Sequence, residues 1–143
     1  MLMRGEFAFL SNFYECPITC QGITYRSSEN LFQAAKTKDL RIRREMADKT
    51  PGQAKRMGRK IDIRQDWEGI KIDVMRWVVR RKFTEHRDLA VKLMAIDCEI
   101  VEDNTWGDRF WGRVDGQGQN WLGKILMEVR DELKAQAVGA AKD

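Results

Sequence analysis

One histidine, His86, stands alone in 143 residues, and its isolation argues against histidine-based catalytic triads and multi-histidine metal sites. Cysteine is equally scarce. Cys16, Cys20 and Cys98 form an odd set with no zinc-ligand spacing, which fits a reduced, cytoplasmic setting better than a disulfide scaffold. No apolar run approaches the roughly 18 residues needed to cross a bilayer, so no membrane partner is expected. The opening Met-Leu-Met-Arg-Gly-Glu lacks the apolar core and small-residue cleavage site of a secretory signal. Internal repeats, low-complexity tracts and an interdomain linker are also missing.

What is present is ordinary globular composition, 43% hydrophobic and 34% charged, in a length that suits one compact domain. The charge is unevenly spread. Residues 36–87 hold 17 Lys+Arg against 8 Asp+Glu, while the remainder holds 9 against 14. A basic middle suits the phosphates of a nucleotide or nucleic acid; the alternative is a set of solvated helix faces.

Hydrophobic periodicity predicts a helix-rich α+β domain with a small β-hairpin. Ile18–Tyr25 reads as two strands around Gln21-Gly22. Ser27 or Ser28 caps a helix running to about Lys38, with Glu29 in its first turn. Leu40–Asp48 is a second helix, and Thr50-Pro51 restarts a third over Gln53–Arg59, with Gly58 a weak point in it. Asp66 caps what reads as the longest helix, Trp67–Phe83, whose stripe is Ile70, Val74, Trp77, Val78 and Arg81. His86–Ile96 follows, then a short strand at Glu99–Glu102. Asp103–Asn120, with four glycines and two tryptophans, is the one long loop. Leu122–Leu133 closes a domain spanning residues 1–134, and residues 135–143 are expected to fray.

Two stretches carry the chemistry. Glu29, Phe32, Gln33 and Lys36 are spaced i, i+3, i+4 and i+7, which puts acid, aromatic, amide and amine on one helix face. The bland reading is a surface Glu29 with Phe32 alone buried. In the second stretch Trp106, Phe110 and Trp111 lie among Asp108, Arg109 and several glycines. Aromatic planes stack bases, and an acid beside aromatic surface is suited to proton donation. The alternative is a hydrophobic plug in which Asp108 caps a turn. Trp67 reads as core more than ligand contact. Gly116-x-Gly118 is a weak phosphate-loop signal, lacking the strand-to-helix setting of a dinucleotide motif.

Taken in order, these motifs resemble the NADAR (YbiA-like) family. Phe9-Leu10-Ser11-Asn12-Phe13 looks like its opening motif, and Ser28-Glu29 through Phe32-Gln33-Ala34-x-Lys36 like its Ser-Glu-His…Phe-Gln-Ala-x-Lys helix. Met57-Gly58-Arg59, Trp67-Glu68, Val74-Met75-Arg76, Lys82-Phe83, Val101-Glu102, Asp108-x-x-Trp111-Gly112 and Gly116-x-Gly118-x-Asn120-x-Leu122-Gly123 keep the expected sequence order. The resemblance covers about residues 6–134. It implies an N-glycosidase without metal or cofactor, acting on a nucleotide-like small molecule or on ADP-ribosylated nucleic acid. It also implies catalytic positions at Glu29, Lys36 and Asp108, and substrate contacts at Ser11, Asn12, Phe13, Gln33, Trp67, Trp111, Gly112 and Asn120. Two departures stand out: Asn30 replaces the usual histidine, and Gln117, Gln119 and Trp121 stand where the glycine-rich loop often carries basic residues.

Cleaving a ribosyl C–N bond asks for one carboxylate near the anomeric carbon and one acid for the leaving base. Glu29 and Asp108 are the candidates, with the assignment of roles open. Lys36 either attacks the sugar as an amine or holds phosphate and keeps Glu29 ionised. A non-catalytic nucleotide, ADP-ribose or nucleic-acid binding module uses the same tryptophans and basic segment. A purely structural helical domain is a third reading. Oligomeric state is not encoded in any of these signals.

Overall fold

Gln21 and Gly22 take left-handed backbone conformations, φ 52° and 77°, as the central pair of a tight hairpin turn with the native strand twist requires. They join β1 (Glu15–Cys20) to β2 (Ile23–Ser27), antiparallel with Cys20 opposite Ile23 and Ile18 opposite Tyr25. Register slips between Glu15 and Ile18, where Pro17 removes a ladder donor. The strand period of two buries Cys16, Ile18, Ile23, Tyr25 and Ser27 on one face. The computed structural model of the protein describes residues 1–142. It is an α+β fold in which this two-stranded sheet is joined by six α-helices and a 3-10 helix at Gly5–Leu10. Within it the chain forms two units of dense internal contact: Asn12–Glu85, and Met1–Ser11 with the residues from His86 onward.

Helix α1 (Ser28–Ala34) follows directly from β2. The Ser27 side chain accepts from the Asn30 amide as N-cap, and all seven helical residues are buried. The helix stops four residues short of the expected Lys38. Its terminal carbonyls are taken by donors from elsewhere: Arg43 Nε donates to the carbonyls of Ala34 and Thr37, and the Arg64 amide donates to that of Lys36 at 2.8 Å. These donors satisfy carbonyls that the end of a helix leaves without an intrahelical partner.

Helix α2 (Leu40–Ala47) is capped by Asp39. In α3 (Pro51–Gly58) Thr50 and Gln53 form a reciprocal capping box with proline at the first position. Helix α4 (Trp67–Glu85) starts where Asp66 was expected to cap, although the Asp66 carboxylate is held by both Nε and a terminal nitrogen of Arg64. Its buried stripe is Trp67, Met75, Val78, Val79, Lys82 and Phe83, which shares Val78 with the expected set but is turned away from Ile70, Val74, Trp77 and Arg81. Trp77 is exposed, with Arg81 against its ring. The difference came from treating the large aromatic Trp77 as core.

Lys82 lies on that buried stripe at 1% exposure, its Nζ 5.7 Å from the Tyr14 ring centre and 5.3 Å from that of Phe83. Burial lowers its pKa to about 8, against a smaller raising effect of Cys16. Because the unfolded lysine titrates near 10.4, the unfolded chain binds more protons between about pH 8 and pH 10.4. Stability therefore rises with pH across that window, and the full cost of the buried charge is felt below it. Lys82→Met is expected to be neutral or stabilising by up to about 3 kcal/mol at pH 7 and to flatten this rise. Thermal melts of both proteins from pH 7 to pH 10 check this; a steep loss of stability in the variant would contradict it.

In the second unit α5 (Arg87–Met94) buries Leu89, Ala90 and Leu93, and α6 (Trp121–Lys142) buries Leu122, Ile125, Leu126 and Val129. Among the described residues α6 is the longest helix, contrary to the expectation for α4. It stays helical past Ala135 where fraying was expected, with residues 135–140 exposed; Asp143 lies outside the described residues. The expected strand at Glu99–Glu102 does not form. Asn120 supplies its pairing instead, the side-chain amide donating to the Ile100 carbonyl and Oδ1 accepting from the Glu102 amide. Only an isolated bridge between Asp103 and Arg113 remains.

Candidate active site

Residues Asn12–Glu85 contain the first cluster. Glu29 is 7% exposed, so the surface reading of this residue fails. Its amide donates to the Asn12 carbonyl at 3.0 Å, and its Oε1 accepts from Gln33 Nε2 at 2.8 Å. Taking a carboxylate out of water is costly unless it is hydrogen-bonded or charge-paired. Asn12 fixes the start of α1, accepting from Ser28 Oγ through Oδ1 and donating to the Met75 sulfur. Buried and fully engaged in this way, Asn12 positions Glu29 and is not an open substrate contact. Asn30, in place of the family histidine, donates to the carbonyls of Met46 and Lys49 and so closes the end of α2.

Lys36 sits beyond α1, in a turn whose amide donates to the Gln33 carbonyl. The expected helical i+7 placement is not what brings it to the cluster. Its Nζ lies 5.9 Å from the ring centres of both Phe32 and Trp67, which themselves pack 5.2 Å apart at 56°. Burial lowers the Lys36 pKa; Glu29 raises it, while Arg59 and Lys55 lower it further and Glu68 raises it. The amine thus deprotonates more readily than an ordinary lysine, while the charge of Glu29 acts on it in the opposite sense. Trp67 is buried, a wall of the cluster more than an open stacking surface.

Gln33 explains Gly58. A Cβ at Gly58 would collide with the Gln33 side-chain amide, so the supposed weak point of α3 is the close approach that holds the amide against Glu29. Gln33 Oε1 is buried without a hydrogen-bond partner. Phe13, 44% exposed, carries Lys55 Nζ 5.7 Å from its ring centre. Lys55 and Arg59 were missed in the sequence because a basic helix end reads as solvated surface. Lys82 was missed as well; its i+3, i+4 and i+7 spacing from Val79, Val78 and Met75 is the one sequence signal that points to the buried stripe.

The unit beginning again at His86 contains the second cluster. Asp108 Oδ1 accepts from the amides of Phe110 and Trp111 at 3.1 and 2.9 Å, and the Asp108 backbone exchanges two hydrogen bonds with the Asn104 side chain. Asp108 does cap a turn, and that turn sets Phe110 and Trp111 edge-to-face 4.7 Å apart. Gly112 passes so close to the Glu102 carbonyl and the Asn104 amide that no side chain fits. Asn120, with both polar atoms spent on Ile100 and Glu102, is fully buried scaffold. The Gly116 region is a hairpin turn closed by two bonds between Val114 and Gln117, not a phosphate loop. Ser11 lines a cavity of about 270 Å³ with Glu102, Asn104 and Trp106, the last 62% exposed.

Among the described residues no group of three or more His, Cys, Asp or Glu side chains is placed to hold a metal ion, and no helix is long and apolar enough to cross a membrane. The NADAR domain model matches residues 3–134. The chain belongs to the NADAR family. It is 38% identical over 132 residues to the N-glycosidase YbiA of Escherichia coli, covering 90% of this chain and 82% of that protein. It is 34% identical over 135 residues to an N-glycosidase of Nostoc punctiforme, covering 90% and 86%. A riboflavin biosynthesis protein of Vibrio vulnificus is 41% identical over 133 residues, but the chain spans only 36% of its length. The NMR structure of E. coli YbiA superposes with a TM-score of 0.83 at 36% identity, covering 96% of this chain and 86% of that one. Its agreement extends the α+β description to an experimental neighbour.

Proposed function

We propose that this NADAR protein hydrolyses the ribosyl C–N bond of a nucleotide-like substrate through Glu29, Lys36 and Asp108. As a family member whose relatives are N-glycosidases, it is a hydrolase acting on N-glycosyl compounds. The observation that carries the finer reading is a buried carboxylate, Glu29, held by Gln33 beside a lysine that burial makes less basic. Two aromatic rings wall off the amine.

In this reading neutral Lys36 Nζ attacks the anomeric carbon. The C–N bond breaks with its electron pair going to the base, which an acid protonates. The nitrogen lone pair then opens the sugar ring to a protonated imine. The C–O bond pair goes to the ring oxygen, which takes the proton that Glu29 received from Lys36. Water adds to the imine carbon, the nitrogen is protonated, and the amine leaves, releasing the sugar as its aldehyde. Glu29 takes the lysine proton and stabilises the cationic sugar. By resemblance to the family, Asp108 is the acid proposed for the leaving base. The substrate is either an ADP-ribosylated guanine base or a ribosylamino-pyrimidine phosphate.

Release of free base from ADP-ribosyl-guanosine and from a ribosylamino-pyrimidine phosphate, followed by chromatography, tests the proposal and identifies the preferred substrate. Binding of both without cleavage of either would instead support a non-catalytic binding module. Asp108→Asn should keep the turn, because the amide oxygen still accepts from Phe110 and Trp111. Its kcat should fall about 10²-fold, the effect of a lost general acid or base. Weaker binding at unchanged kcat would make Asp108 a contact only.

A further inference from the structure

Gly107 holds a left-handed backbone conformation, φ 86°, with open space where a side chain would stand. The position therefore answers to the turn of the chain and not to crowding. That turn treats its two neighbours differently. Asp108 is tied inward: its amide and carbonyl exchange hydrogen bonds of 3.0 and 2.8 Å with the Asn104 side chain, which is itself buried. Trp106 is left 62% exposed, whereas Phe110 and Trp111 pack edge-to-face against each other. The indole borders the cavity of about 270 Å³, and Leu2, about half exposed, lines it too. The segment carrying Leu2 is fastened there by the Asp103 amide, which donates to the Met1 carbonyl at 3.2 Å. Exposed apolar side chains scattered singly need no account, but two at one concavity among polar groups are the usual make-up of a ligand pocket. The charges of the lining nearly cancel. Glu102 and Asp103 stand against Arg4, and the Asp103 carboxylate is already paired with the Met1 ammonium. Such a cavity has no surplus of cations for a phosphate. A flat, uncharged ring bearing amino groups finds there an aromatic plane to stack on, with oxygen acceptors around it.

We infer that this cavity is the nucleobase subsite, where Trp106 stacks on the amino-bearing heteroaromatic base of the N-glycoside. The inference rests on the activity proposed above for the identity of the ligand. It gives that activity a residue, Trp106, that the family resemblance does not imply. Asn104 links the subsite to the chemistry. It walls the cavity and also holds the backbone of Asp108, the acid proposed for the leaving base, so one side chain sets the base and its acid in register.

Titration with guanosine and cytidine, against ribose and ribose 5-phosphate, tests the inference without turnover. Calorimetry gives the affinities, and NMR follows the Trp106 indole N–H and the Asn104 and Thr105 amides. At least one nucleoside should bind more tightly than either sugar and shift these signals. Trp106→Ala should weaken it about fivefold or more, the loss of one stacked base. The melting temperature should not move, because the ring is largely exposed. Trp106→Phe keeps an aromatic face and should recover most of the affinity. Trp77→Ala, which removes the exposed tryptophan of α4, should leave affinity as it was. Preference for guanosine assigns a purine base, and preference for cytidine a pyrimidine. Sugars binding as tightly as both nucleosides would overturn the inference, as would nucleoside affinity indifferent to Trp106. Cleavage of an N-glycoside with KM and nucleoside affinity unmoved by Trp106→Ala would refute the subsite and leave the activity standing. Nucleoside binding at Trp106 without cleavage of any N-glycoside would leave the subsite standing and refute the activity alone.

Discussion

Glu29→Gln is expected to cost about 10³-fold or more in kcat while the protein stays folded. The amide is isosteric, and its oxygen accepts the Gln33 Nε2 hydrogen bond as the carboxylate Oε1 does at 2.8 Å. What is lost is the negative charge, and with it both proton acceptance from Lys36 and stabilisation of a cationic sugar. The melting temperature should hold or rise, since a buried carboxylate is a cost to folding. Turnover assays beside thermal melts separate the outcomes. A variant near wild-type rate removes Glu29 from the chemistry. A variant that no longer folds makes Glu29 a structural residue.

Lys36→Arg should be nearly inactive, for a different reason. Guanidinium keeps the positive charge but does not deprotonate to a nucleophile in a protein. If Lys36 attacks the sugar, borohydride added during turnover should trap a ribosyl adduct at Lys36, found by peptide mass spectrometry. The pH dependence gives an independent readout. With its pKa lowered chiefly by burial, Lys36 reaches its reactive neutral form at lower pH than a free lysine. The kcat/KM should therefore rise with pH through an apparent pKa below the ordinary 10.5 and level off above it. That limb should vanish in the residual activity of the arginine variant. No adduct, together with an active arginine variant, would leave Lys36 an electrostatic support for Glu29 or for phosphate.

These expectations depend on neighbours that sequence spacing described for the wrong reason. The i, i+3, i+4 and i+7 pattern from Glu29 to Lys36 correctly gathers the four side chains. Yet α1 ends at Ala34, and Lys36 is held instead by the Arg64 amide on its carbonyl and by the rings of Phe32 and Trp67. Asn120 likewise owes its place to distant partners, as a buried strut that replaces a strand between Ile100 and Glu102.

Local rules acting within a few residues were enough for the hairpin at Gln21-Gly22, the caps at Ser27 and Thr50, and the existence of every α-helix among the described residues. Turn conformation and capping involve neighbours in the chain, so composition and spacing specify them. Motif order likewise carried the family. Helix ends, the rotation of the buried stripe on α4, the burial of Glu29 and Lys82, and the packing of Gln33 against Gly58 were decided only in the tertiary structure. Each depends on which distant carbonyl, ring or glycine meets the residue: Arg64 at Lys36, Tyr14 at Lys82, Gly58 at Gln33. Desolvation and Coulomb interaction act through space, and the sequence alone does not state those distances.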